Sequence, residues 1–299
     1  MAYNIIAESE DYTVLTEYQA EYRKVDHYES EAALEKAFIR MLEEQGYENL
    51  PIHKEKDLID NLRIRLEKLN NYKFTDSEWE RFFSNNIANK NEGIVEKTAK
   101  IQDDYIQVLR RDGGESKNIY LIDHQNIHNN FLQVINQYEE SEGAHYTRYD
   151  VSILVNGLPL VHLELKRRGV QLKEAFNQIN RYQRDSFWAG SGLFEYVQIF
   201  VISNGTNTKY YYNSTRAGAV RENESKGRGR GKKSSNSFEF TSYWADGNNK
   251  TITDLIDFTR TFFVKHTLLS ILTRYCVFTS EKMLMVMRPY QIAATERII

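Results

Sequence analysis

The stretch YDVSILVNGLPLVHLELKRRG, residues 149–169, decides the fold. Its two halves alternate apolar and polar side chains and are rich in β-branched residues, which is typical of strands. A Gly-containing turn around Asn156-Gly157 separates them. The stretch is therefore predicted to form a β-hairpin.

One face of the second strand carries polar side chains. Along residues 158–166, His162, Glu164 and Lys166 point to one side, and the intervening Val and Leu side chains point to the other. A buried strand rarely places Glu and Lys together on one face without partners. These residues are therefore candidates for a functional site, although a sheet-edge histidine is the simpler interpretation of His162.

A second carboxylate can join that face. Asp150 opens the preceding strand, and a turn of odd length, such as residues 156–158, sets it opposite Glu164. An even turn puts the two carboxylates on different faces unless a bulge intervenes. Mg²⁺ prefers a few carboxylate oxygens together with water and phosphate, and a lysine beside it neutralises phosphate charge. The alternative is a surface strand end held by a salt bridge.

The segment after the hairpin, residues 170–187, has a helical period. Gln178 and Tyr182 are four residues apart and share one face of this helix. Both side chains can hydrogen-bond to a phosphate or to a metal-bound water, and Tyr182 can stack on a base. The alternative is an ordinary amphipathic boundary.

The remaining patterns predict an α/β chain with a mixed central sheet flanked by helices. Helices are predicted at 29–48, 57–70, 253–272 and from Pro289 onwards, and strands at 118–123, 196–206, 208–213 and 237–245. Residues 128–140 fit either a strand or a helix.

Composition limits the function classes. The chain has 299 residues, a formal net charge of −3 and one cysteine, Cys276, which favours a reducing cytoplasm. No apolar run approaches the ~18 residues of a membrane helix, and residues 1–13 lack the basic and apolar regions of a secretory signal. The acidic total argues against a general nucleic-acid binder, but residues 216–237 carry seven basic and two acidic side chains and are predicted to form a flexible basic loop.

The order of these residues resembles a known nuclease pattern. Asp150, Glu164-Leu165-Lys166 and the Gln178–Tyr182 spacing resemble the PD-(D/E)xK motif with the Q-x-x-x-Y extension of its RecB-like branch. Longer phrases resemble the N-terminal nuclease domain of the R (HsdR) subunit of type I restriction-modification enzymes. These phrases are residues 149–169, 174–182 and 200–206, supported by IAES at 6–9, DSEWERF at 76–82 and MRPYQIAATERI at 287–298.

The resemblance implies a restriction-endonuclease-like core and a set of roles. Asp150 and Glu164 would bind Mg²⁺, for which Mn²⁺ could substitute, and Lys166 would assist catalysis. Gln178 and Tyr182 would support the site or the DNA. The literal Pro-Asp of the motif name is Tyr149-Asp150 here, and proline is commonly absent at this position in the superfamily.

The first predicted helix offers a further acidic residue, since many relatives use one from that helix. Glu31 or Glu35 could fill this role, and the alternative for either is a solvated helix face.

The resemblance also implies a larger assembly. Its partners would be double-stranded DNA and the methyltransferase and specificity subunits, with no membrane, in a bacterial or archaeal cytoplasm. Residues 1–260 would be the endonuclease domain, and residues 261–299 a helical connection into a truncated helicase-like motor.

ATP would serve only the full-length subunit, with Gln291 in the adenine-recognising element of the motor, because no GxxxxGK[ST] loop is present. The alternative function is a catalytically silent DNA-binding or docking module of a helicase-like protein.

Overall fold

The computed structural model describes residues 5–8, 13–15, 30–213, 236–247 and 249–298. The strands are β1 (Ile5–Glu8), β2 (Thr13–Leu15), β3 (Glu48–Asn49), β4 (Ile106–Arg110), β5 (Ser116–Tyr120), β6 (Leu132–Glu140), β7 (Thr147–Val155), β8 (Leu158–Leu165), β9 (Ile199–Ser203), β10 (Thr208–Tyr212), β11 (Trp244–Ala245), β12 (Thr251–Ile252), β13 (Cys276–Phe278) and β14 (Leu284–Val286).

The helices pack around the strands. They are α1 (Glu31–Glu44), α2 (Glu55–Leu69), α3 (Asp76–Phe82), α4 (Ile94–Gln102), α5 (Leu172–Asp185), α6 (Asn236–Glu239), α7 (Leu255–Phe262), α8 (Lys265–Thr273) and α9 (Pro289–Ile298). A π-helical turn, Phe83–Ile87, continues α3.

A mixed six-stranded sheet forms the centre of the molecule, in the order β10-β9-β8-β7-β6-β3. β8 pairs antiparallel with β7 and parallel with β9. Every residue of β8 and β9 is buried, so any polar side chain on these strands is removed from water. The predicted α/β class with a mixed central sheet is confirmed.

The predicted hairpin is β7 and β8, but its turn has two residues, an even number. Asn156 and Gly157 both have positive φ, +52° and +87°, as a type I′ turn requires. The turn also lies close to α2, because a Cβ on Gly157 would be 2.6 Å from the Cα of Leu62. Only glycine fits both the conformation and the space.

A bulge restores the parity that the even turn removes. Leu154 pairs with Pro159, but Ile153 pairs with Val161, so Leu160 is the extra residue. Pro159 has no N–H to donate, and proline within a sheet is confined to edges, strand starts and bulges. From the bulge onwards the strands keep one register.

Most predicted helices are confirmed. α1 begins after Ser30, whose hydroxyl accepts a hydrogen bond from Ala33 N (3.2 Å). α5 buries Leu172, Phe176 and Ile179 against the sheet side of the molecule. The segment 253–272 forms two helices, α7 and α8, and α9 begins at Pro289 as predicted.

Other segments were ambiguous in sequence or differ from their predicted structure. Residues 128–140 contain strand β6. The strand predicted at 237–245 is wrong in its first part, because Phe238 lies in α6 and packs against Phe176 (ring centroids 5.4 Å). The predicted basic loop at 216–237 lies outside the described residues up to 235. Cys276, the single cysteine, lies in strand β13.

Within the ranges given above, no helix is long and apolar enough to cross a membrane.

Substituting Gly157 tests how tightly the hairpin is held. Gly157→Ala should lower the free energy of unfolding by roughly 2–4 kcal/mol, because it adds a steric clash with α2 to the strain of positive φ. Gly114→Ala is the matched control, since Gly114 has φ +88° with nothing within 4 Å of its Cβ position. It should cost only about 1–2 kcal/mol. Equal losses in urea unfolding would contradict the packing of this turn on α2.

Candidate active site

The register of β7 on β8 brings two candidate carboxylates to the same level of the sheet. Ser152 pairs with His162 and Val151 with Leu163, so the same register sets Asp150 opposite Glu164. The backbone N–H of Leu165 donates to Asp150 Oδ2 (3.0 Å). The structure therefore takes the second of the two routes that the sequence allowed, an even turn with a bulge.

Lys166 lies beside Glu164. Its Nζ donates to Glu164 Oε1 (2.8 Å), and the side chains are 12% and 0% exposed. Lys166 follows the last residue of β8 and is anchored through its own backbone N–H, which donates to Ser203 O on β9 (2.8 Å). The second oxygen, Glu164 Oε2, has no hydrogen-bond partner among the described residues.

The electrostatics of the three groups are coupled. Burial, and then the charge of Asp150, raises the pKa of Glu164 well above its ordinary value. Burial also raises the pKa of Asp150, although the Leu165 N–H and Lys166 oppose the shift. Burial lowers the pKa of Lys166, but Glu164 and Asp150 outweigh it and the net shift is upward. One lysine does not compensate two buried carboxylates.

The two acidic residues of α1 also approach the site. Glu31 Oε1 accepts a hydrogen bond from Arg167 N (3.2 Å), and its charge acts on both Asp150 and Lys166. Glu35 is half-buried, and burial, with a contribution from Asp150, raises its pKa. The structure thus places both near the carboxylates of the sheet.

Glu35 is held by two amides that the sequence did not single out. Asn136 Nδ2 donates to its Oε1 (2.7 Å), and Gln137 Nε2 donates to its Oε2. Gln137 has φ +53°, an uncommon conformation for a residue with a Cβ, and it faces Asp150 in the register of β6 on β7. No sequence pattern signals this backbone conformation.

Gln178 and Tyr182 lie on α5 and contact each other. Gln178 Nε2 donates to the Tyr182 hydroxyl, which donates to Arg148 O (3.2 Å) on β7. Burial and the charges of Glu164 and Asp150 raise the pKa of Tyr182. Tyr182 is therefore close to the carboxylates, and its hydroxyl ties α5 to the strand that carries Asp150.

His162 lies in different surroundings from those expected, whereas Gln291 lies in the helix predicted after Pro289. His162 is fully buried in an interior strand and is not a sheet-edge residue. Its Nδ1 is 3.0 Å from Ser152 Oγ. The sequence indicated this contact only indirectly, because the register that sets Asp150 opposite Glu164 also sets Ser152 opposite His162. Gln291 is exposed at the start of α9, where its Oε1 accepts a hydrogen bond from Arg288 N (2.8 Å).

The donor set is compatible with a hard divalent cation. In the part of the chain that the structure describes, no group of three or more His, Cys, Asp or Glu side chains could hold a metal ion. Mg²⁺ is commonly held by only one or two carboxylates, with water and substrate phosphate completing its shell. The unpartnered Glu164 Oε2, and the charge of Asp150 that raises the pKa of Glu164, fit such a cation.

Comparisons with known proteins identify the family of the chain. Residues 28–219 match the family described as "Type I restriction enzyme R protein N terminus (HSDR_N)". The chain is 48% identical over 295 residues to the type I restriction enzyme EcoprrI endonuclease subunit of Escherichia coli, covering 98% of this chain and 89% of that protein.

Longer relatives share the same region. The chain is 36% identical over 278 residues to the type I restriction enzyme SsaAORF53P endonuclease subunit of Staphylococcus saprophyticus, covering 91% of this chain and 27% of that protein. It is 37% identical over 278 residues to the SauMSSORF170P endonuclease subunit of Staphylococcus aureus, with the same coverage. The chain belongs to the family of type I restriction enzyme R proteins and corresponds to their N-terminal region.

Proposed function

We propose that the chain is the nuclease region of a type I restriction enzyme R subunit and hydrolyses phosphodiesters of double-stranded DNA with Mg²⁺. The observation that carries the proposal is that Asp150 on β7 lies opposite Glu164 on the buried strand β8, with Lys166 just after β8 bonded to Glu164, in a chain of this family. Buried carboxylates with raised pKa values are costly to the fold, and such groups cluster at functional sites.

The chain's residues take distinct roles in this proposal. Asp150 and Glu164 would hold the divalent cation, which would supply Lewis-acid polarisation of the phosphoryl group and lower the pKa of a water. Asp150 is oriented by the Leu165 N–H, and Glu164 by Lys166. Lys166 is the least buried of the three, so its ammonium group can also reach a phosphate oxygen and neutralise charge in the transition state.

The surrounding residues support this geometry. Gln178 and Tyr182 fix α5 against β7 through the bond to Arg148 O, which keeps the helix beside the carboxylates. Glu35 or Glu31 would supply a further acidic oxygen from α1, and Glu35 is the better oriented because two amides hold it.

Other parts of the function belong to the assembly. DNA sequence recognition would reside in the methyltransferase and specificity subunits, in a bacterial or archaeal cytoplasm. ATP-driven translocation would reside in a motor beyond an endonuclease domain at residues 1–260, with residues 261–299 leading into it and Gln291 serving the nucleotide. The staphylococcal relatives, of which the chain covers 27%, have the length for such additional regions.

Removing any of the three site groups should abolish DNA cleavage. We expect Asp150→Asn, Glu164→Gln and Lys166→Ala, each in the full R subunit assembled with its partners, to reduce cleavage at least about 100-fold while ATPase activity is retained. Glu174→Gln is the matched control, because Glu174 is an exposed carboxylate at the start of α5. Cleavage retained by all three variants would contradict the site and favour a silent docking module.

Stability should depend on pH and on Mg²⁺ through Glu164. A carboxyl whose pKa is raised by folding stabilises the protein at low pH, and this contribution is lost as pH rises from its ordinary value of 4.5 towards the folded value. Without metal, Glu164→Gln should therefore raise the Tm by roughly 2–4 °C at pH 8. The difference should shrink as the pH approaches 4.5.

Saturating Mg²⁺ should reverse the order at pH 8, because it binds the wild-type carboxylates and not the amide variant. Calorimetry of the 299-residue chain measures both effects, and Glu174→Gln again serves as control. A wild-type Tm that does not change with Mg²⁺ would contradict this electrostatic description. A Tm that is lower for Glu164→Gln than for the wild type without metal would contradict it too.

A further inference from the structure

Two buried polar atoms face each other beside the candidate site. His162 Nε2 and Glu164 Oε2 are 4.0 Å apart, and both side chains are fully buried. Neither atom has a hydrogen-bond partner among the described residues. Buried polar atoms without partners are rare, so two of them facing each other indicate a functional contact.

The other ring nitrogen of His162 is fixed. Nδ1 lies 3.0 Å from the Ser152 hydroxyl oxygen, and the two residues are direct cross-strand partners. A serine hydroxyl can donate or accept, so it can serve either neutral form of the imidazole. The orientation of the ring is therefore set by β7, the same strand that carries Asp150.

Aromatic rings enclose the imidazole. The ring centroids of Tyr149, Tyr182 and Phe187 lie 5.6, 6.0 and 5.5 Å from the centroid of the imidazole. The imidazole itself is fully buried, and a neutral imidazole carries one N–H. The position of that one hydrogen decides how His162 acts on Glu164.

Only one neutral form is electrostatically favourable beside an ionised Glu164, the form that would hold a cation. With the hydrogen on Nδ1, the Nε2 lone pair would face a carboxylate oxygen inside an apolar enclosure, where repulsion is poorly screened. With the hydrogen on Nε2, the N–H dipole points at Glu164 Oε2, and the Ser152 hydroxyl donates to Nδ1. The 4.0 Å separation exceeds a hydrogen bond, but hydrogen bonds in free active sites are often long and tighten on ligand binding.

We propose that His162, as its Nε2–H form held by Ser152, is a positioning residue that orients the Glu164 carboxylate. Lys166 holds one carboxylate oxygen and His162 faces the other, so the two residues together fix the plane in which Glu164 presents its oxygens. The inference rests on the proposed role of Glu164 in metal binding. It adds a Ser152–His162–Glu164 chain to the three site residues.

Mn²⁺ titration of the 299-residue chain tests the proposal. His162→Leu should weaken Mn²⁺ binding about 10–100-fold, as is typical when a group orienting a metal ligand is removed. His162→Gln, which keeps an N–H at a similar reach, should recover most of that loss. Tyr149→Phe is the matched control: it removes a buried hydroxyl of the same enclosure, bonded to Ser186 Oγ (2.8 Å), and should leave the affinity unchanged.

A second measurement needs no variant. ¹⁵N NMR of the wild-type imidazole, recorded above the pKa of Glu164, should show a neutral ring protonated on Nε2, and the Nδ1–H form would overturn the proposal. Mn²⁺ affinity unchanged by His162→Leu, or lowered equally by Tyr149→Phe, would also overturn it. Mn²⁺ binding that survives Asp150→Asn and Glu164→Gln would instead overturn the proposed function, while the NMR result still decides the His162 contact.

Discussion

The register between β7 and β8 is the constraint on which the site depends. Because side chains alternate across a strand, a slip of one residue would move Asp150 away from Glu164. Two local features hold this register: the Asn156-Gly157 turn, packed against Leu62 of α2, and the bulge next to Pro159. Both features lie within the hairpin, several residues from the carboxylates, and together they determine that Asp150 and Glu164 meet.

That register places charge where the fold would otherwise avoid it. β8 is buried along its whole length, and Glu164 lies there with a single lysine and a neutral histidine as neighbours. A divalent cation held by both carboxylates, as proposed, would relieve the repulsion that Asp150 exerts on Glu164. The apolar sheet therefore holds two carboxylates close together at a cost in free energy, which cation binding would offset.

The parts of this arrangement that follow local patterns could be predicted from the sequence. The alternation along β8 places Glu164 and Lys166 on one face, and the helical period of α5 joins Gln178 to Tyr182. The motif resemblance identified the family before any fold was known. The metal-binding and catalytic roles of these residues stay predictions.

The parts that depend on distant packing could not be predicted. The parity of the hairpin depends on a bulge and on the backbone of α2, and the helical turn at Phe238 depends on its contact with Phe176. The hydrogen bond from Gln137 to Glu35 requires a left-handed backbone conformation at Gln137, which its residue type does not predict.

The proposed metal site is tested most directly by anomalous diffraction from crystals soaked in Mn²⁺. The account predicts a peak about 2.1 Å from carboxylate oxygens of both Asp150 and Glu164. Ordered carboxylates with no peak between them, or a peak elsewhere only, would contradict it.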